Sequence, residues 1–204
     1  MIRRKIDILM RKLCLKIFQL DEWFKYNYYD KEYAQYIVKT LNNLIERDKK
    51  SLNGYIIEIG CGLGDVIGNI KNQREIKKIG FDKEIRVVYA ARLLHPDMRF
   101  LKGSFENIKE KKVYCLIIVN LLHFIDPDYA KREIRKLLCN NYVKYVVIDE
   151  IRDTKNSSYK YECDGNDILG EQYIQCYKSR RMHAAGGANR HVVIYQNMNL
   201  MYYI

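Results

Sequence analysis

Residues 55–64 read YIIEIGCGLG, and this stretch decides the fold. A short apolar run carries one acid, Glu58, and then breaks into Gly60, Gly62 and Gly64. The pattern predicts a buried strand over residues 55–59, then a glycine turn that opens a helix over residues 65–71. Because glycine has no side chain, its backbone can turn sharply and lie directly against a ligand. We therefore expect a nucleotide-type cofactor site at the carboxyl end of this strand.

The spacing of the glycines excludes two common phosphate-binding motifs. The dinucleotide pattern G-x-G-x-x-G, started at Gly60, requires glycine at the position of Asp65. Started at Gly62, it requires glycine at the position of Ile67. The P-loop sequence G-K-[ST] does not follow either, and an acid at the start of the helix would repel a pyrophosphate. The ligand is therefore expected to be a different kind of nucleotide.

Alternating apolar and amphipathic segments continue along the chain and predict the rest of the fold. The predicted strands are 78–81, 98–102, 113–119, 145–149, 173–178 and 191–196, the predicted helices are 83–94 and 127–139, and Asp126 is the expected N-cap of the second helix. Continuous apolar strands alternating with helices indicate a parallel sheet covered on both faces. The last two strands, joined by a turn at residues 186–187, read as an antiparallel hairpin at the edge. The expected class is α/β, with a doubly wound, mostly parallel sheet.

The turn E-x-G-x-G-x-G, together with Asp82 at the end of the second strand, carries a resemblance. It resembles motif I and the acidic second motif of the class I S-adenosylmethionine-dependent methyltransferases. The resemblance extends over residues 50–197. It implies a Rossmann-like core of seven strands over residues 49–204, a helical cap or lid over residues 1–48, and S-adenosylmethionine as the cofactor.

The resemblance also implies which residues hold the cofactor. Backbone at the glycines would approach its methionine part, and Glu58 would steady the loop and accept a hydrogen bond from the ammonium side, directly or through water. Asp82 would accept both ribose hydroxyls, because a carboxylate offers two acceptor oxygens. Lys83 would lie along the adenine edge. The implied cofactor-binding residues are Glu58, Gly60, Cys61, Gly62, Gly64, Asp82, Lys83, Ser104, Phe105 and Asn120.

Three positions depart from the patterns of that family. Ser104 stands where an acid usually holds the adenine amino group, although the serine or the backbone of Ser104 and Phe105 can still accept that bond. Cys115 stands where an acid is frequent near the start of the fourth strand. Asn120 is followed by LLH rather than by the Pro-Pro-aromatic corner of base-modifying amino methyltransferases. A Leu-His step here resembles small-molecule methyltransferases instead.

His123 is the candidate catalytic base. An oxygen nucleophile needs its proton removed, and a histidine titrates in the useful range. The alternative is a histidine that caps a helix or packs at the domain edge, and Asp149 and Glu150 at the end of the fifth strand are rival bases. The order of the acids does not reproduce the pattern of metal-dependent catechol methylation, so we expect no metal.

Substrate contacts are expected from aromatic residues outside the core: Trp23, Tyr28, Tyr29, Tyr159 and Tyr161. Their rings can stack on sugars and their hydroxyls can orient polar groups, although the N-terminal tyrosines can equally be packing residues. The Trp-Phe segment, the glycine turn and the N-L-L-H corner look like bacterial methyltransferases associated with surface-glycan assembly. We therefore expect O-methylation of a small molecule such as a sugar or glycan precursor.

Composition and charge supply the alternatives. The 204 residues fit one domain with a formal net charge of +11, which suits a polyanion partner and keeps an RNA methyltransferase open. The third alternative is a non-catalytic binding module that kept the fold. Scattered cysteines without C-x-x-C spacing, no apolar run that could span a bilayer and no signal-peptide pattern indicate a cytoplasmic protein.

The N-terminal segment has its own signal. An apolar stripe at helical spacing is formed by Ile2, Ile6, Leu9, Leu13, Ile17 and Leu20, and basic residues surround it. Most such stripes pack on a domain, which is the favoured expectation. The alternative is peripheral contact with an anionic membrane surface.

Overall fold

A single mixed sheet organises the protein in the computed structural model, which describes residues 2–184 and 187–200. The strands are β1 Gly54–Ile59, β2 Ile76–Asp82, β3 Arg99–Lys102, β4 Lys112–Ile118, β5 Tyr142–Arg152, β6 Tyr173–Lys178, β7 Met182–His183 and β8 Asn189–Asn197. The α-helices are α1 Ile2–Phe18, α2 Glu32–Arg47, α3 Ile85–Leu94, α4 Pro127–Asn140 and α5 Gly165–Leu169.

Seven strands lie in the order β3-β2-β1-β4-β5-β8-β6, and the two-residue β7 pairs with β8. Strands β1 to β5 pair in parallel, while β8 is antiparallel to both β5 and β6. The expected doubly wound sheet with a C-terminal antiparallel hairpin is therefore confirmed. The last strand lies between β5 and β6 rather than at the edge. The expected turn at residues 186–187 falls partly outside the described residues, because Gly186 is not among them.

Both faces of the sheet are buried, as its continuous apolar strands require. Six of the seven residues of β4 are buried, with only the first exposed. Alternate residues of β4 belong to two hydrophobic cores, one on each face of the sheet. Cys115 and Ile117 pack on the side of α2, and Leu116 and Ile118 pack on the side of α4. The predicted N-cap of α4 is confirmed, since the Asp126 carboxylate accepts a hydrogen bond from the Tyr129 amide at 2.9 Å.

The helix predicted over residues 65–71 is wrong. The chain forms only a one-turn helix, Ile67–Asn69, before it descends to β2. Gly68 and Asn69 are poor helix formers, and the Asn69 side chain donates to the Asp65 carbonyl at 2.9 Å, which competes with a regular helix. A Cβ at position 68 would also overlap the His95 ring, so this segment is shaped by its neighbours. In contrast, α5 arises between two predicted strands, where the sequence predicted no helix.

The apolar stripe of α1 does not pack on the domain, so the favoured expectation for it is wrong. Its side chains are exposed by 49–68% at Ile6, Leu9, Leu13 and Ile17. The helix is held by a different face, through the buried Arg11 and Cys14. Leu20, beyond the end of α1, is half-buried, and the side chain of Ile2 lies outside the described part of the structure. No described helix is long and apolar enough to cross a membrane.

Helix α2 packs into the main hydrophobic core and is not peripheral to it. Its residues Ile37 and Leu41 are fully buried in the same cluster as Ile56 of β1 and Val147 of β5. Helix α1 contributes to a smaller cluster with α3, built around Cys14 and Val87. The division into a cap over residues 1–48 and a core over residues 49–204 stays a prediction.

Candidate cofactor and acceptor site

The glycine loop after β1 adopts a conformation that requires glycine. Gly60, Gly62 and Gly64 have φ angles of 69°, 51° and 79°, in the left-handed region that side chains disfavour. The Cys61 amide donates to the Phe81 carbonyl at 3.0 Å, which ties the loop to the end of β2. The three glycines therefore let the chain turn sharply at the carboxyl edge of the sheet, with the side chains of Leu121, Phe24 and Phe100 packed close against the loop.

Glu58 lies buried directly beneath this loop. Its carboxylate accepts a hydrogen bond from the Ile67 amide at 3.0 Å, which fixes the return of the chain. Burial is the main reason that the pKa of Glu58 is raised to about 8; the acids Asp65 and Asp82 contribute to the rise, whereas the Ile67 hydrogen bond and Lys31 oppose it. At neutral pH the side chain is therefore mainly a neutral acid that a nearby cation would convert to a carboxylate.

Asp82 stands at the end of β2 and faces the glycine loop. Its Oδ2 accepts from the Gly62 amide at 3.1 Å, and its Oδ1 accepts from the Glu84 amide at 3.0 Å. Burial is the main reason that the pKa of Asp82 is raised. Each carboxylate oxygen keeps further acceptor capacity, so the oriented pair can receive two adjacent hydroxyl donors. The neighbouring Lys83 side chain is exposed.

Ser104 and Phe105 lie in the loop that follows β3, close to Asp82. The Gly103 amide donates to the Asp82 carbonyl at 2.9 Å, which joins the two loops. The Ser104 amide is already bonded to Asn107 Oδ1 at 2.9 Å, and the Phe105 side chain is buried. The polar edge of this loop and Asp82 thus lie at the same edge of the sheet.

The N-terminal segment is clamped onto the glycine loop through Asp65. The Asp65 carboxylate accepts from the Arg11 guanidinium of α1 and from Lys31 Nζ, the latter at 2.5 Å. The Phe24 ring lies 3.3 Å from the position that a Cβ would occupy at Gly62. Residues before α2 therefore set the position of the loop.

A second polar cluster lies at the ends of β4 and β5 and at the start of β8. Asn120, in a left-handed conformation with φ 56°, donates its amide to Asp149 Oδ1 at 2.8 Å. Arg190 Nη2 donates to Asn120 Oδ1 at 2.9 Å and to the Tyr159 hydroxyl at 3.0 Å. The Arg190 guanidinium also lies 4.5 Å from the centre of the Tyr33 ring. Four separate segments thus meet around one arginine.

Asp149 and Arg190 form a buried ion pair within this cluster. Arg190 Nε lies 3.4 Å from Asp149 Oδ2, and the two side chains are 6% and 0% exposed. Burial raises the pKa of Asp149 to about 6, and Arg190 opposes the rise. Among the residues that the structure describes, no group of three or more His, Cys, Asp or Glu side chains is arranged to hold a metal ion.

His123 lies beside this cluster with an unsatisfied ring. It is fully buried, and neither ring nitrogen has a hydrogen-bond partner among the described residues. The Tyr159 ring packs against it edge-on at 4.3 Å between ring centres. Burial, and then the charge of Arg190, lowers the pKa of His123 to about 3. The imidazole is therefore neutral at physiological pH, and an unpaired buried polar group of this kind calls for a partner.

The aromatic residues predicted to contact substrate separate into three places. Tyr159 lies in the arginine cluster, and the Tyr161 amide donates to the His123 carbonyl at 3.2 Å. Trp23 is 44% exposed, with Lys31 Nζ 4.9 Å from its ring. Tyr28 and Tyr29 line a different groove, of about 360 Å³, between α1 and the end of α3. The groove lining includes neither His123 nor Arg190.

Sequence reasoning missed Arg190 and the partners of Asp65. Arg190 precedes an apolar strand and belongs to no local motif, so nothing in its neighbourhood indicated a buried cation. Asp65 was noticed only as the residue that breaks a dinucleotide pattern. Two signals were available in the sequence: an acid within the glycine loop, and Arg11 on the side of the amphipathic helix away from its apolar stripe.

No protein-family model and no curated protein matches this sequence. Solved structures do match. N-methyltransferase NodS from Bradyrhizobium japonicum WM9, in complex with S-adenosyl-L-homocysteine, has a TM-score of 0.66 over 93% of this chain and 98% of that chain, at 11% identity. This chain has the Rossmann-like methyltransferase fold.

Two further methyltransferases have the same fold. Magnesium protoporphyrin IX methyltransferase (ChlM) from Synechocystis PCC 6803, with bound S-adenosylhomocysteine, has a TM-score of 0.64 at 13% identity and covers 90% of this chain and 93% of that chain. The bifunctional kinase-methyltransferase WbdD has a TM-score of 0.61 at 13% identity, over 82% of this chain and 40% of that chain. Identities this low show the fold alone, so the chemistry rests on the residues of this chain.

Proposed function

We propose that the protein is an S-adenosylmethionine-dependent methyltransferase that methylates an oxygen of a small molecule such as a sugar or glycan precursor. The observation that carries the proposal is the Asp82 carboxylate, held by the Gly62 and Glu84 amides beside the glycine loop. A carboxylate with two acceptor oxygens at the glycine loop would suit the two ribose hydroxyls of the cofactor.

The remaining residues fit the cofactor along the same edge. Glu58 would meet the ammonium end, Ser104 and Phe105 the adenine, and Asn120 the methionine end near the reacting methyl group. When bound, the cofactor supplies an electrophilic methyl group on a sulfonium. Two of the matching solved structures carry the demethylated product of this cofactor, which supports the assignment.

The acceptor would lie against the cluster formed by His123, Tyr159 and Arg190. Its aromatic faces and its hydroxyl and guanidinium groups suit a hydroxyl-bearing acceptor such as a sugar. The charge of Arg190 is balanced by Asp149, so this cluster does not require an anionic acceptor. The matching magnesium protoporphyrin IX methyltransferase is named for an acceptor that is likewise a small molecule.

His123 is proposed to bind the acceptor hydroxyl. A base must be unprotonated, and the low pKa of His123 keeps it so across the physiological range. The same low pKa makes it a weak base. Its main contribution would therefore be to accept the hydrogen bond that orients the hydroxyl, and then to take the proton as the oxygen reacts.

Replacing His123 with leucine separates this role from a structural one. Turnover is expected to fall roughly 100-fold, because the hydroxyl loses its acceptor. The free energy of unfolding is expected to change by less than about 1 kcal/mol, because the leucine removes a buried polar group that has no partner. Cofactor affinity by calorimetry should be unchanged. Phe124→Leu, at the exposed neighbouring position, is the control, and an unaltered rate in His123→Leu would remove the residue from the mechanism.

The raised pKa of Glu58 predicts a pH dependence of cofactor binding. A cationic ligand favours the carboxylate, so affinity should rise by up to about tenfold as pH passes upward through about 8. The glutamine in Glu58→Gln cannot ionise, so the variant should lose this rise in cofactor affinity with pH. The ligand's own amino group titrates identically with both proteins, so the difference between the two calorimetric profiles isolates Glu58. Parallel profiles would contradict the assignment.

The test of the proposed function is calorimetric titration with S-adenosylmethionine, S-adenosylhomocysteine and NAD. Binding of the first two and not of NAD is expected. A methyl-transfer screen with radiolabelled cofactor would follow, with sugars, other small hydroxyl compounds and RNA in separate arms. Transfer to RNA alone would replace the acceptor proposal with the RNA alternative. Absence of binding by either sulfur compound would overturn the enzyme proposal.

A further inference from the structure

Helix α1 presents an apolar ridge to solvent. The ridge consists of Ile6, Leu9, Leu13 and Ile17, which are 57%, 68%, 49% and 57% exposed. Their spacing places them on one side of the helix, away from the face that carries the buried Arg11 and Cys14. Scattered exposed leucines are ordinary, whereas four on one continuous ridge form a surface that calls for a partner.

Helix α3 widens this surface. It lies alongside α1 and runs in the opposite direction. The start of α3 meets the end of α1, where Arg86 donates to the Gln19 carbonyl. At the other end, Leu93 lines the same groove as Ile6. Leu93 and Tyr89 of α3 are 52% and 48% exposed. The ridge and these two side chains together form an apolar face two helices wide.

Most of the charges around the face are positive. Lys12 and Lys16 are exposed immediately before Leu13 and Ile17, so they border the ridge on one side. On the α3 side, Arg86 is exposed, with Glu84 4.0 Å away. The one acid of α1, Asp7, is bonded to Arg11 at 3.0 Å rather than offered to a partner. The whole chain adds a formal net charge of +11.

We propose that this face rests on an anionic membrane surface. An apolar ridge bordered by lysines is the pattern of a helix that lies in the plane of an interface, with its aliphatic side chains among the acyl chains and its lysines at the phosphates. A second copy of the chain would place equal positive borders against each other, which like-charge repulsion opposes. The proposal does not depend on the methyltransferase assignment.

The test is co-sedimentation of the full chain with two kinds of vesicle, pure phosphatidylcholine and equal parts of phosphatidylcholine and phosphatidylglycerol. Binding to the anionic vesicles, weakened by salt, is expected. Leu9→Gln/Leu13→Gln should lower the partition coefficient by about tenfold or more. The control Tyr142→Gln/Ile174→Gln changes two side chains that are 70% and 39% exposed elsewhere, and it should bind as the unaltered protein does.

A second pair of variants isolates the charge. Lys12→Gln/Lys16→Gln should lose about tenfold or more in binding to anionic vesicles, whereas Lys39→Gln/Lys136→Gln, with the same net charge, should lose much less. All four replaced lysines are exposed, so none of the substitutions should disturb folding. Absence of binding to anionic vesicles at low salt would overturn the proposal. So would equal binding by the ridge variant, or a concentration-dependent dimer that the ridge variant abolishes.

Discussion

Replacing Asp82 with alanine is expected to weaken S-adenosylmethionine binding by about 100-fold or more. The carboxylate would supply two charge-assisted hydrogen bonds to the ribose, each worth roughly 1.5 to 3 kcal/mol. The Gly62 and Glu84 amides would also lose their acceptor, so the glycine loop would be less well positioned.

The measurement is calorimetry with both sulfur ligands, with thermal unfolding as the check on folding. Glu84→Ala is the matched control, because it removes an exposed acid two residues further along and leaves Asp82 intact. Asp82→Asn keeps one of the two acceptor oxygens, so only one of the two amides retains its partner, and it should give an intermediate loss. Unchanged affinity in a folded Asp82→Ala variant would refute the cofactor-site assignment.

Replacing Arg190 with methionine is expected to destabilise the protein by about 3–5 kcal/mol. The substitution leaves the Asp149 carboxylate buried without its cation, and this is the costly way to break a buried ion pair. Asn120 and Tyr159 lose a hydrogen-bond donor at the same time. Urea denaturation at pH 7.5 would measure the change.

The control and the pH dependence distinguish this effect from a general loss of charge. Arg180→Met breaks a pair with Glu32 whose side chains are 85% and 53% exposed, and it should cost no more than about 1 kcal/mol. The pKa of Asp149 is about 6 beside Arg190 and should rise further without it. Asp149 therefore takes up its proton at a higher pH in the variant, so the cost of Arg190→Met should shrink as the pH falls towards about 6 and stay constant below it.

A double variant completes the test. Arg190→Met/Asp149→Asn removes both charges, so it should be less destabilised than Arg190→Met alone. A loss in Arg190→Met no larger than in Arg180→Met would show that the buried pair does not carry the predicted charge penalty.

Local sequence patterns predicted most of the sheet because each strand is specified by its own residues. The apolar run that became β4 is buried on both faces, so it could only be an interior strand. Asp126 before Pro127 marked the start of α4, because the cap and the first turn involve neighbouring residues only. The prediction failed after Gly64, where the Asn69 side chain bonds to the Asp65 carbonyl and where Gly68 packs against the His95 ring, a contact that only the tertiary structure brings about.

The sequence by itself determined the succession of strands and helices along the chain, the glycine loop and the acid at the end of β2. These features depend on residues that are neighbours in sequence or on the ends of adjacent strands. Only the tertiary structure decided that Arg190 meets Asp149, because that contact exists only when β8 lies beside β5. Likewise, the pattern of α1 was readable, but which face is buried was decided by Asp65, whose carboxylate binds Arg11 and turns the apolar ridge outward. A periodic pattern specifies a helix and its faces, whereas the partner of each face is specified by residues distant in the chain.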